Sequence, residues 1–168
     1  SVRSALQNVY EQTKRIDYVV NSAAILNKEP LLHLDYEQIQ KIIATNYLGA
    51  VNTTLASFIY LKESKGQILQ FTSSSYTRGR AYYAMYSSTK CAVVNFVQAV
   101  AEEWISYGIK INCINPQRTK TPMRIKNFGL EDDSTLLNPE IVASRSIETL
   151  LNNFSGEVID VKLDQSNP

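Results

Sequence analysis

Apolar residues recur at helical spacing from the first turn onward: Val2, Ala5, Leu6 and Val9 share one side of a helix predicted from Ser1 to Lys14. The period then changes. Ile16 to Asn21 is a short apolar run of strand character, and it ends in the small residues Ser22, Ala23 and Ala24, where a ligand can approach the backbone closely. Asp35 is placed to cap a long helix running to about Leu61, with Ile39, Ile42, Ile43, Leu48 and Val51 as its apolar contacts and Gly66 closing the turn after it. Gln67 to Phe71 reads as a strand that runs into the hydroxyls of Thr72, Ser73, Ser74 and Ser75. A second long helix, Ala84 to Tyr107, ends at Gly108, and Ile109 to Ile114 forms the next strand. The stretch from Asn115 to Asn138 is too long for a routine connection and predicts a binding loop or lid with a helical turn inside. A helix from Pro139 and Glu140 to Leu151 and a strand from Glu157 to Leu163 complete the series. Helix then strand, repeated four times, predicts an α/β domain with a mostly parallel sheet.

The chain of 168 residues, 44% apolar and 20% charged, suits one domain spanning 1–168. A formal charge of +1 gives no global reason to expect nucleic acid or a membrane as partner, and no uninterrupted apolar run approaches the roughly 20 residues that span a bilayer. The start lacks the pattern of a signal peptide, so a cytoplasmic location is expected. Cys91 and Cys113 offer neither a disulfide framework nor metal-ligand spacing, and both are expected as buried, reduced thiols. His33 has no partner nearby in sequence, so no triad and no metal site is predicted. Domains rarely begin in the middle of a helix, and further N-terminal sequence is expected.

Candidate chemistry centres on Tyr86-Ser87-Ser88-Thr89-Lys90. Residues four apart on a helix lie one turn above each other. A phenol has an unperturbed pKa of about 10, and a neighbouring ammonium favours the phenolate and draws that value toward neutrality, where general acid-base catalysis is most effective. Tyr86 is therefore expected to exchange the proton and Lys90 to tune it.

Asn21-Ser22-Ala23-Ala24, Asn46 within Ala44 to Gly49, Ser73 after its strand, the Tyr86/Lys90 pair and Ile114-Asn115-Pro116-Gln117-Arg118-Thr119-Lys120-Thr121 occur in an order and spacing that resemble the short-chain dehydrogenase/reductase family over nearly the whole chain. The resemblance implies a Rossmann-like, doubly wound parallel sheet that is incomplete here, with the family's first three strands absent. The Gly-rich phosphate loop is absent with them, since no Gly-x-x-x-Gly-x-Gly occurs. It implies that Ser73 hydrogen-bonds a substrate carbonyl, Tyr86 donates its proton, Lys90 lowers the tyrosine pKa and binds the nicotinamide ribose, and Asn46 orders a water that relays protons. It assigns cofactor contacts to Asn21, Ala23, Ala24, Tyr86, Lys90, Pro116, Thr119 and Thr121, with NADP(H) or NAD(H) as the dinucleotide, and pairs the two long helices across the two-fold axis of a homodimer. Ala24 and Gln117 stand where the family has glycine. The rival expectation from another class is a non-catalytic Rossmann-like module kept for assembly.

Arg118, Lys120, Arg124 and Lys126 fall close together with no acid among them, and Arg78 and Arg80 lie in the other loop facing the same mouth. Guanidinium groups suit phosphate through paired hydrogen bonds, so Arg78, Arg118 and Arg124 are expected to bind a small phosphorylated carbonyl substrate. The segment Asn115 to Arg124, with Asn127-Phe128-Gly129 after it, resembles the reductase portion of bifunctional capsule-synthesis enzymes. That resemblance implies reduction of ribulose 5-phosphate with NADPH and coupling of the product to CTP.

Overall fold

A computed structural model describes residues 1–163. Four strands, β1 (Tyr18–Asn21), β2 (Gln67–Phe71), β3 (Lys110–Pro116) and β4 (Val158–Val161), form one wholly parallel sheet in the order β1-β2-β3-β4. In its register Val19, Ile68 and Ile111 lie side by side on one face, and Val20 and Leu69 on the other. The first face carries the larger core. Ile68, Ile111 and Cys113 pack there against Leu6 and Tyr10 of α1 (Val2–Thr13), Leu61 of α3 (Gly49–Ser64) and Val93, Val97 and Trp104 of α4 (Ala84–Trp104). On the opposite face Leu69, Ile114 and Val161 meet Leu137 and Val142, the latter from α6 (Pro139–Leu150). Burial on both faces leaves the polar residues of the middle strands, Gln67, Gln70, Asn112 and Asn115, buried as well, and each is hydrogen-bonded through its side chain. Each fully buried Ile or Leu contributes about 1.5–3 kcal/mol.

Helices therefore cover both faces, as the Rossmann-like expectation requires. The four described strands advance in one direction, and β1 is an edge on which Tyr18 and Val20 stay about half exposed.

The first long helix has the predicted cap: Asp35 accepts from the Gln38 N–H while the Gln38 side chain accepts from the Asp35 N–H. Its course departs from the expectation in one respect. Between α2 (Tyr36–Ile43) and α3 the chain makes a π turn over Ala44–Leu48, and this turn contains Asn46. The continuous helix Tyr36–Ser64 has 29 residues and an apolar stretch of mean hydropathy 1.2, so by length and composition it meets the requirement for a bilayer crossing that the uninterrupted-run criterion missed. It buries Ala50, Thr54, Ser57 and Leu61 within the domain. The residue that turns left-handed after it is Lys65, at φ 54, while Gly66 meets a different demand: a Cβ there would lie 2.2 Å from the Asp17 carbonyl oxygen. Gly108, at φ 72, caps the second long helix as expected.

The segment after β3 is more ordered than a bare lid. It holds α5 (Pro122–Phe128), a 3-10 turn at Asp133–Thr135 and a bridge between Thr119 and Leu137. Cys113 is buried as expected; Cys91 is exposed, contrary to expectation, because it faces outward on α4.

Candidate active site

A cavity of about 830 Å3 opens at the carboxyl ends of β1, β2 and β3. That is where an open parallel sheet places its ligands. The residues after β1 run extended, so alternate side chains, Ser22, Ala24 and Leu26, line the cavity. The hydroxyl-rich end of β2 forms the floor, α4 one wall, and the segment 116–131 the roof.

Tyr86 and Lys90 both line this space from the first turns of α4. Thr72 at the end of β2 donates its hydroxyl to the Lys90 carbonyl oxygen (2.9 Å), and Thr89 donates to the Tyr86 carbonyl oxygen (2.8 Å). The first bond ties the helix to the end of the strand, and the second lies within the helix. Lys90 is buried at 2% exposure, and its Nζ donates to the Phe71 carbonyl oxygen at 2.7 Å while lying 5.7 Å from the centroid of the Tyr86 ring. Burial lowers the Lys90 pKa to about 8, with the neighbouring Cys113 thiol acting in the opposite sense. Ser73 lies beside Tyr86, and its Oγ accepts from the Ser75 N–H (3.3 Å) and shares a 3.1 Å hydrogen bond with the Ser75 hydroxyl.

The tyrosine pKa departs from the expectation. Burial pushes it above its ordinary value and Tyr83 adds to that, whereas the Ser73 hydroxyl pulls it down. The Ser73 hydroxyl, not the lysine, is what draws it down: the Lys90 ammonium donates to the Phe71 carbonyl oxygen and lies 5.7 Å from the centroid of the phenol ring.

Asn46 sits 2% exposed in the π turn and clamps the backbone of Ile25: its Oδ1 accepts from the Ile25 N–H (2.8 Å) and its Nδ2 donates to the Ile25 carbonyl (2.9 Å). A further Nδ2 bond reaches the Thr89 hydroxyl at 3.2 Å. Both amide hydrogens are thus engaged by protein. Asn21 and Ala23 stand behind the cavity wall. Asn21 donates to Gln70 (2.8 Å) and accepts from the Ala23 N–H (3.2 Å), so it shapes the turn instead of lining the space.

The short chain dehydrogenase family model matches residues 1–131. The chain belongs to this family. It is 49% identical over 97% of its length to the bifunctional ribulose 5-phosphate reductase/CDP-ribitol pyrophosphorylase Bcs1 of Haemophilus influenzae, and covers 34% of that protein. Similarity to a 3-oxoacyl-[acyl-carrier-protein] reductase of a Synechocystis strain is 32% over 73% of the chain and 50% of the relative. The chain thus spans a third to a half of these relatives' length. Among solved structures, a 3-ketoacyl-(acyl-carrier-protein) reductase from Brucella melitensis complexed with NADH superposes with a TM-score of 0.89 at 25% identity, covering 99% of this chain and 74% of that one. ElxO with NADP bound superposes with a TM-score of 0.83 at 27% identity over 95% and 71%.

Against the family pattern, the two glycine replacements cause no strain. Neither Ala24 nor Gln117 has a positive φ, and Gln117 gains a role: its N–H donates to the Val161 carbonyl (2.9 Å) and its side-chain oxygen accepts from the Leu163 N–H (3.0 Å), tying the roof to the end of β4. Pro116, Thr119 and Thr121 line the cavity as expected, and Thr121 also caps α5 by accepting from the Arg124 N–H.

The basic cluster is corrected in two places. Arg78 is exposed and does not reach the cavity wall; Arg80 does. Arg124 is not unopposed, because Glu131 receives its Nε and Nη2 at 2.6 and 2.8 Å, and Lys120 likewise pairs with Asp133 at 2.6 Å. The acids come from Glu131-Asp132-Asp133, which follow directly on the stretch read as purely basic. Arg118 lines the cavity and, like Arg80, makes no ion pair among the described residues. Sequence reading also missed Tyr83 and Phe128, whose rings meet edge-on at 5.9 Å, Tyr83 reaching the Tyr86 ring at 6.3 Å. Their only signal was an aromatic residue at each edge of the motifs.

Proposed function

We propose that this chain carries the proton-transfer and nicotinamide half of an NAD(P)H-dependent carbonyl reductase whose substrate is ribulose 5-phosphate, reduced to ribitol 5-phosphate for capsule polysaccharide synthesis in the cytoplasm. The observation that carries the reading is the meeting of Ser73, Tyr86 and Lys90 in one cavity at the carboxyl ends of a parallel sheet. The residues present fit the nicotinamide end of a dinucleotide: the Lys90 ammonium and the hydroxyls of Ser22 and Thr121 supply donors for it, the Thr119 hydroxyl, which donates to the Gln117 carbonyl, offers an acceptor, and Ala24 leaves room beside them. The cofactor supplies the hydride. Ser73 donates to the substrate carbonyl oxygen, and Tyr86, whose raised pKa keeps it protonated at neutral pH, gives that oxygen its proton. Arg118 takes the phosphate of the sugar. NADPH is favoured by the resemblance to the capsule-synthesis reductases and by the likeness to ElxO, solved with NADP bound.

In the full-length natural protein, ribulose 5-phosphate should be reduced with a kcat/KM at least about a hundredfold above that of unphosphorylated ribulose, and Arg118→Ala should shrink that ratio by about tenfold or more. Equal kcat/KM for the two sugars, or a ratio untouched by the substitution, defeats the assignment.

A homodimer through the two long helices is part of the same proposal. Leu48, Leu55 and Ile59 stand 46%, 58% and 63% exposed along one helix, a stripe that a partner would cover. Light scattering should give twice the chain mass at micromolar concentration, and Leu55→Glu/Ile59→Glu should give the monomer; a wild-type monomer at that concentration counts against it.

A further inference from the structure

Phe128, at the end of α5, gathers positive charge around the cavity roof. The Arg124 guanidinium stacks 3.6 Å from its centroid and the Lys28 ammonium lies 4.5 Å from it. Lys28 is also held by its backbone, whose N–H donates to the Asn127 side chain at 3.2 Å. Among these cations sits one carboxylate, Glu131. The hydrogen bonds from Arg124 hold its carboxyl below the usual range, and the charges of Arg118 and Lys28 lower it further. The Arg124–Glu131 pair is about four-fifths shielded from solvent, with side-chain exposures of 18% and 22%. Lys28, Arg118, Arg124 and Glu131 together leave a net charge of +2, the complement of a phosphate monoester, whose second pKa is about 6.

Three guanidinium groups line the cavity, Arg80, Arg118 and Arg124, and the last two share its roof, where they offer an incoming phosphate two neighbouring places to bind. Arg124 presents its Nε and Nη2 edge to Glu131, so that fork is already used by a fixed acceptor, whereas Arg118 is open. We propose that Glu131 sets where phosphate binds in this cavity, with Arg118 as the site from which the carbonyl meets Ser73 and Tyr86: by holding Arg124 against Phe128 it withholds one phosphate-binding fork and directs the phosphate of a phosphate monoester to Arg118. Glu131 acts through Arg124, and is a positioning residue in that sense. The proposal rests on the reductase reading for the identity of the sugar but not for the binding of phosphate.

The test uses the full-length protein and two readouts. In calorimetric titration with inorganic phosphate, Glu131→Gln, which removes the charge but keeps the shape, should bind about tenfold tighter than wild type because a charge-assisted fork is released. Glu131→Gln/Arg124→Gln should return to within about twofold of wild type, since the gain comes from the freed Arg124. In turnover of the phosphorylated sugar, a phosphate captured at Arg124 is bound unproductively. The single variant should therefore show kcat and KM falling together by about tenfold while kcat/KM changes little. Unchanged phosphate affinity in Glu131→Gln, a gain that persists in the double variant, or a fall in kcat/KM with a raised KM would each overturn the proposal. The titration needs no turnover, so failure of ribulose 5-phosphate as substrate leaves it standing. Active turnover without the phosphate response sinks this inference alone.

Discussion

Tyr86→Phe in the full-length protein should lower kcat for carbonyl reduction by about a hundredfold to ten-thousandfold, the range a positioned proton donor supplies. The substitution removes one oxygen from a half-buried ring and leaves the packing of α4 on β2 as it was, since the hydrogen bonds that tie the helix to the end of β2 run from Thr72 to the Lys90 carbonyl and from Lys90 to the Phe71 carbonyl. Thermal stability should therefore change by no more than about 1 kcal/mol, the usual worth of one hydrogen bond. Cofactor binding, followed by quenching of protein fluorescence, should persist. A variant with near-wild-type kcat removes Tyr86 from the chemistry, and one that has lost both kcat and folded structure shows instead that the phenol was a core group.

Lys90→Met should trade function for stability, with a pH signature. Burial holds the folded lysine at about 8 against an ordinary 10.5. Its charged form is thus penalised in the folded state at every pH below about 8, by about 3 kcal/mol for a difference of this size. Between about 8 and 10.5 the unfolded chain holds the proton that the folded one has released, so stability due to this group rises with pH across that window. Methionine carries no such penalty. The hydrogen bond lost at the Phe71 carbonyl subtracts about 1 kcal/mol from the variant at either pH, so the difference between the two conditions isolates the ionisation. Melting curves should show Lys90→Met above wild type by several degrees at pH 7, with the gap shrinking steadily toward pH 10.5. Turnover should be lost. A gap that is the same at both pH values means the ammonium is solvated rather than buried.

The residues that carry local signals were legible as a sequence. Asp35 with Gln38 announces a helix start, Gly108 a helix end, and a run such as Ile109 to Ile114 a strand, because each depends on neighbours within a few positions. The same locality made the tyrosine and lysine readable as a pair: four residues on a helix bring them to one side without help from the rest of the chain. What failed were particular contacts set by residues distant in sequence and the field of the folded molecule. The exposure of Cys91, the π turn at Asn46 and the place of Arg78 outside the cavity follow from how α4, the 44–48 turn and the β2 loop pack. The pKa of Tyr86 is raised because burial outweighs the hydrogen bond from Ser73, and no spacing rule contains that competition.

The basic stretch is the clearest division between the two. By itself the sequence determined that four cations stand near one mouth of an α/β sheet, with three acids just beyond them. Only the tertiary structure decided that α5 and the turn after it fold back so that Glu131 grips Arg124 and Asp133 grips Lys120, leaving Arg118 open. Coulombic attraction and bidentate geometry act across space at a few ångströms, and which charges come that close is set by the path of the chain, not by their order along it.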